Sequence, residues 1–268
     1  VTRLADLLPP THDRTILRAS NVLVYDIETR PARVEFETYD LKLRNAYIPH
    51  RHVREPGAMV AWAAHWLHEP GVVHYGDMHD PSMHERLWNL LDSSSYLVTY
   101  NGDNFDQRKV RGYFARAGMP APRPSRSIDL IKTVRTMGLE SNSLEYACRV
   151  FGTEHQKLAE ETGGANNWRG VVAGDEMARR RMRRYCTHDV RATADLYLTL
   201  LPWIPNHPHM GFAADDQALR CPRCGSDDHA DVGVFQAQVI RYRLHRCGNC
   251  MGTFRSLRHS RVGTSRAV

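Results

Sequence analysis

Two Cys-x-x-Cys pairs, Cys221-Pro-Arg-Cys224 and Cys247-Gly-Asn-Cys250, constrain this 268-residue chain more than any other feature. Pairs at this spacing sit on tight knuckle turns, and four thiolates brought together suit one tetrahedral zinc ion. The 22 residues between the pairs hold two strand-like runs, Val232 to Phe235 and Val239 to Leu244, so a β-hairpin would join the knuckles. A full set of four cysteine ligands leaves no open coordination position, which makes the expected zinc structural rather than catalytic. A module this small has little core of its own, so the ion would supply much of its folding free energy. His229 and His245 are competing ligands that two complete pairs make unnecessary. Cys148 and Cys186 fall in helical patterns and read as small buried apolar residues.

Charge separates the same module from the rest. From Arg220 onward there are nine Arg and three Asp, with no Lys and no Glu, and the preceding residues balance 27 basic against 27 acidic side chains. A neutral body with a cationic appendage suits a polyanion such as nucleic acid, although on charge alone a well-solvated surface is the better reading. No apolar run approaches the ~20 residues of a membrane span, and the first twenty residues contain no signal-peptide core. The expectation is a cytoplasmic protein without membrane association.

Periodicity organises the larger part. Asn21 to Ile27 reads as a buried strand, Arg33 to Thr38 as a second, Met59 to Leu67 as a third, and Val72 to Tyr75 as a short extra one. A helix follows over Pro81 to Leu91, and then a strand from Tyr96 to Tyr100 that closes on an Asn101-Gly102 turn. Helices are predicted over Phe105 to Ala117, Leu130 to Met137 and Ser143 to Phe151, then a long polar loop over Gly152 to Gly174. The last helix, Asp175 to Leu201, carries an apolar stripe of Met182, Cys186, Val190, Ala194, Tyr197 and Leu201. The order implies an α/β domain with a mixed sheet, its first three strands antiparallel and a later one parallel. The expected layout is an N-terminal extension over 1–20, this domain over 21–203, a Pro-rich linker over 204–219, the cysteine module over 220–255 and a basic, disordered tail over 256–268.

Three segments of the body carry candidate chemistry. Asp26-Ile27-Glu28 closes the first strand, and residues two apart on a strand face the same way. Asp106 opens a helix after the Asn-Gly turn, where an acid also serves simply to complement the helix dipole, and Asp103 competes with it. Tyr185 and Asp189 are four apart on the long helix, hence neighbours on one face, at the shoulder of the apolar stripe.

In order and context, DIET at a strand end, YNGDNFD before a helix and YCTHD within a late helix resemble the three exonuclease motifs of the DEDD superfamily. This is a ribonuclease H-like group, and the resemblance extends over about Asn21 to Leu201. The YxxxD spacing is similar to the tyrosine-type, DEDDy, subgroup and to the exonuclease domain of family B DNA polymerases. The histidine-type subgroup would place His where this chain has Arg184, so His188 is no match for it. The resemblance implies a five-stranded ribonuclease H-like sheet flanked by helices and a 3′→5′ exonuclease releasing 5′-mononucleotides. It implies two Mg²⁺ or Mn²⁺ ions held by Asp26, Glu28, Asp106 and Asp189, with Tyr185 orienting the attacking water. The cysteine module is similar to a zinc ribbon.

Several substrate contacts stay open. Asn101 and Phe105 match the motif's polar and aromatic positions; Phe105 is placed to pack beside a terminal base, but a core position is the favoured reading. Arg181, in the run Arg179 to Arg184, either binds phosphate or belongs to a solvated face. Lys157 and Trp168 lie in the predicted loop, and Arg241 and Arg243 flank Tyr242 in the cysteine module. DNA is the favoured substrate, in replication, proofreading or repair with a DNA polymerase or other replication protein as partner, in the host cytoplasm if phage-encoded. RNA trimming is the rival on the same fold. A non-catalytic scaffold, docking partners through its zinc ribbon, is the rival of another class.

Overall fold

The computed structural model describes residues 20–39, 47–156, 167–213 and 218–261. Its centre is a five-stranded sheet in the order β5-β4-β1-β6-β7, built from β1 (Val22–Arg30), β4 (Ala58–Trp66), β5 (His74–Asp77), β6 (Tyr96–Thr99) and β7 (Arg126–Asp129). β1 runs antiparallel to β4 and parallel to β6, so the sheet is mixed, as expected. β4 is also antiparallel to β5, and β6 parallel to β7.

Helices cover both faces because β1 and β4 are apolar on both. Leu23, Tyr25, Ile27, Trp62 and Trp66 face one side, where they pack with α1 (Met83–Ser93) and α2 (Asp106–Arg116). Val22, Val24, Ala61 and Ala63 face the other. There they meet α6 (Glu176–Leu200), whose Met182, Cys186, Val190, Ala194 and Tyr197 are all buried, as the apolar stripe predicts. Asp175 starts α6 by accepting from Ala178 N at 2.6 Å, the N-cap bond that satisfies an otherwise orphaned helix donor. Between β7 and α6 lie the short helices α3 (Leu130–Val134), α4 (Leu144–Phe151) and α5 (Asn167–Val172).

Several elements differ from the sequence reading. The second strand shrinks to β2 (Arg33–Val34), which pairs with β3 (Val53–Glu55) in a separate two-stranded sheet. β4 takes one edge of β1 along its length, and on the other edge β6 pairs with Val22 to Val24 and Asp106 takes the Ile27 amide, while Arg33 and Val34 pair with β3 instead. β7 lies in a stretch read as connection, and α5 in one read as loop. Residues 256–261, expected to be disordered, continue a strand, β10 (Thr253–Arg261), whose backbone pairs with β9 (Ile240–Cys247). With β8 (His229–Gln236) this makes a three-stranded antiparallel sheet in the order β10-β9-β8.

The stretch expected as a linker is packed in its described part. Ile204 and Met210 are buried, and Met210 N donates to Pro222 O at 2.7 Å. The Tyr197 hydroxyl and His207 Nε2 lie 3.0 Å apart. These contacts fuse the four cysteines to the apolar core beneath the C-terminal end of α6. Among the described residues no helix is long and apolar enough to cross a membrane.

Candidate active site

The alternation that builds β1 also makes the site. Val22 and Val24 face α6 within the core, so Asp26 and Glu28, in step with them, emerge on that side farther along the strand. Their partners across β4 are Ala63 and Ala61, small side chains that leave room above the sheet. The register slips between Glu28 and Thr29, where β1 continues to Arg30 instead of stopping at Ile27.

Asp189 comes down onto these two from α6 and is 3% exposed. One carboxylate oxygen from each of Asp26, Glu28 and Asp189 lies within 4.8 Å of the others. Three carboxylates this close repel one another unless a cation or proton intervenes, and oxygen donors are what a hard divalent cation takes. Cys186, one turn before Val190, is fully buried behind them. Burial, then the charges of Glu28, Asp26 and Asp189, push its thiol well above the usual range and keep it neutral. Tyr185 is half-buried one turn ahead of Asp189 and packs against the α6-side core.

Asp106 stands outside that group of three but beside the same stretch of β1. β6 pairs with β1 only from Val22 to Val24, so the Ile27 amide has no strand partner on that side. Asp106 Oδ1 accepts it at 3.0 Å. The carboxyl group is 3% exposed, and burial pushes its pKa up to about 6, against the Ile27 hydrogen bond and with some help from Asp129. The turn that delivers Asp106 needs Asn101 at φ 65° and a glycine at 102, where a Cβ would come within 2.4 Å of Thr99 Oγ1. Asp129, at the end of β7, holds this turn by accepting from Asn101 N at 2.7 Å and Asp103 N at 3.2 Å. Sequence reasoning missed Asp129 because it missed β7. Asp103 does not compete for the site, since its carboxylate is taken by Ser127 Oγ, Gln107 Nε2 and Lys132 Nζ.

The sequence description of the RNase_H superfamily matches residues 63–201, just over half the chain. The chain belongs to the RNase_H superfamily. The match begins after β1, so it does not include Asp26 and Glu28. Among solved structures, the family B DNA polymerase from the hyperthermophilic archaeon Pyrobaculum calidifontis superposes with a TM-score of 0.50 at 19% identity. The alignment covers 68% of this chain and 24% of that polymerase, and at this identity the likeness is one of fold. No curated protein matches the sequence.

Around the RNase H-like body, the remaining candidates scatter. Asn101 lies in the turn, its side-chain oxygen 3.3 Å from Asn104 Nδ2. Phe105 is not in the core: it is 40% exposed at the start of α2, with Lys109 Nζ 5.8 Å from its ring centre. Arg181 is exposed, whereas its neighbour Arg179 is tied to buried Asp77 by two hydrogen bonds of 3.1 and 3.2 Å. Trp168 lies on α5 beneath Arg169. Lys157 is outside the described residues.

Cys221, Cys224, Cys247 and Cys250 converge with all four sulfurs within 4.8 Å of one another. The Cys221–Cys250 and Cys224–Cys247 sulfurs are 3.6 and 3.5 Å apart. A regular tetrahedron of Zn–S bonds has sulfurs roughly 3.8 Å apart, so the cage fits zinc. His229 and His245 stay out of it: His245 stacks on Phe254, and His229 packs edge-to-face against both rings. Arg241 and Arg243 are exposed on β9, and Arg243 pairs with Asp231 at 3.1 Å.

Proposed function

We propose that this protein is a divalent-metal-dependent 3′→5′ exonuclease of the tyrosine type, acting on DNA 3′ ends in replication, proofreading or repair. The observation that carries the reading is the convergence of Asp26, Glu28 and Asp189 from a strand and a helix onto one point, with Tyr185 one turn away. Membership of the RNase_H superfamily and the fold shared with a DNA polymerase support it.

In this reading Asp26, Glu28 and Asp189 would hold Mg²⁺ or Mn²⁺, and Asp106, beside Ile27, would serve a second ion. When bound, the metal pair supplies water activation and stabilisation of the leaving 3′ oxygen. Tyr185 orients the attacking water through its hydroxyl, since a phenol is a poor base at neutral pH. The ring of Phe105, exposed beside the turn, offers a face to the terminal base. The cysteine cage takes a structural zinc and no part in the reaction.

The test uses end-labelled DNA and RNA oligonucleotides with free or blocked 3′ ends, with magnesium added or omitted. The expected result is stepwise release of 5′-mononucleotides from free 3′ ends of DNA, magnesium-dependent and absent in the Asp26→Ala, Asp189→Ala double variant. Undiminished cleavage by that variant, or without divalent metal, would overturn the site. Preference for RNA would keep the chemistry and replace the substrate.

A further inference from the structure

The three-stranded sheet of the cysteine module has two unlike faces. On one, His245 stacks on Phe254 and His229 meets both rings edge-to-face next to the cysteines, and Asp231 neutralises Arg243. The cross-strand register places Phe235 opposite Tyr242 and Arg255 opposite Leu244 on the other face, with Arg246 two residues beyond Leu244. Phe235 is 43% exposed and its ring centre is 6.5 Å from that of Tyr242. The Arg255 guanidinium lies over both rings, 5.2 Å from Phe235 and 4.6 Å from Tyr242. The described residues of this face include no carboxylate.

We propose that this face, centred on Phe235, Tyr242 and Arg255 with Arg246 at its margin, is a platform for single-stranded nucleic acid. Aromatic rings half-open to solvent, with a guanidinium plane beside them, match what bases and their phosphates need. All the cations of the module are Arg and none is Lys, which suits planar stacking and forked phosphate contacts. A duplex hides its base faces, so the platform selects single strands. The nine Arg to three Asp imbalance from Arg220 onward gives the module the charge that a polyanion requires. The proposal extends the exonuclease reading, because the strand held here would be the substrate strand, but it is tested by binding without cleavage.

The experiment is fluorescence anisotropy with the full chain, zinc in place and magnesium omitted, using labelled 20-nucleotide single strands of DNA and RNA and the matching duplexes. Phe235→Ala with Tyr242→Ala should weaken single-strand binding about tenfold or more, with duplex binding unchanged. Phe235→Leu with Tyr242→Leu keeps apolar bulk in the strands and removes the π faces, so it should lose binding equally while retaining zinc. Arg255→Lys, which keeps the charge, should lose part of the affinity, and Arg243→Ala on the opposite face none. Wild-type affinity in the zinc-loaded Leu variant, or an equal loss in Arg243→Ala, would overturn the platform and leave the catalytic reading untouched. Loss of cleavage in the Asp26 and Asp189 variants with binding intact separates the two sites.

Discussion

Asp106 is a carboxylate in a place that disfavours its charge, and replacing it by Asn exposes the consequence. Its pKa is held at about 6 rather than the ordinary 3.8, first because burial disfavours the charged form. At 1.36 kcal/mol per unit, ionised Asp106 lowers the stability of the metal-free protein by about 3 kcal/mol at neutral pH. The sign follows from the proton count. Between the unfolded value near 3.8 and the folded value near 6 the unfolded chain holds fewer protons, so this group's contribution falls as pH rises and is flat above that window. Asp106→Asn keeps an oxygen for the Ile27 amide but brings two amide protons that need acceptors, a loss of about 1 kcal/mol. The variant should therefore be more stable than wild type by about 2 kcal/mol at pH 7.5, and the gap should shrink by about 1 kcal/mol at pH 5. Urea denaturation in magnesium-free buffer with zinc retained measures both, and comparing variant with wild type at each pH cancels the acid sensitivity of the cysteine cage. A gap of opposite sign at pH 7.5, or one that does not change with pH, would refute the reasoning. Saturating magnesium should then stabilise wild type more than the variant, because in the proposed reading the carboxylate that destabilises the free protein serves the second cation, whereas Asp26, Glu28 and Asp189 are present in both.

Three further outcomes are expected. Single Asp26→Ala or Asp189→Ala substitutions should each lower nuclease turnover by more than about a hundredfold, read from initial rates at saturating magnesium. Tyr185→Phe should lower kcat by roughly a hundredfold with KM little changed, as loss of a water-orienting hydroxyl predicts. Gly102→Ala should destabilise the protein by about 1–3 kcal/mol through its clash with Thr99, and should impair activity by shifting the turn that delivers Asp106.

The parts of the fold visible in the sequence are those where one segment carries its own signal. β1 announces itself by a continuous apolar run, α6 by a stripe that repeats along its length, and the cysteine pairs by their spacing. β7 has no such signal: Arg126-Ser-Ile-Asp129 is four residues long, and only Ile128 is an apolar residue buried in the core. It is a strand because β6 offers it a parallel edge, a long-range fact that local pattern does not contain. β10 was missed for the same reason, since its Ser- and Arg-rich sequence reads as tail until β9 pairs with it. The opposite error occurred at Arg33 to Thr38, where the alternation is real but only Arg33 and Val34 pair, with β3 and outside the central sheet.

The same distinction runs through the site. Strand and helix periodicity were enough to set Asp26 beside Glu28 and Tyr185 beside Asp189, but only the packing of α6 on β1 brings the two pairs together. Asp106 depends on still more remote structure, because its turn is held by Asp129 on a strand the sequence did not reveal. α6 also joins the acidic site to the cysteine module. Asp189 lies near its middle, and Tyr197, Leu200 and Leu201 at its end share a core with the four cysteines. Leu200 lies eleven helical steps, about 16 Å, beyond Asp189. A rigid element of that length, clamped by the cage at one end and capped by Asp175 at the other, holds Asp189 against β1. The structural zinc that suits the cage would thus steady the acidic site from a distance, by fixing the end of the helix that carries one of its three acids.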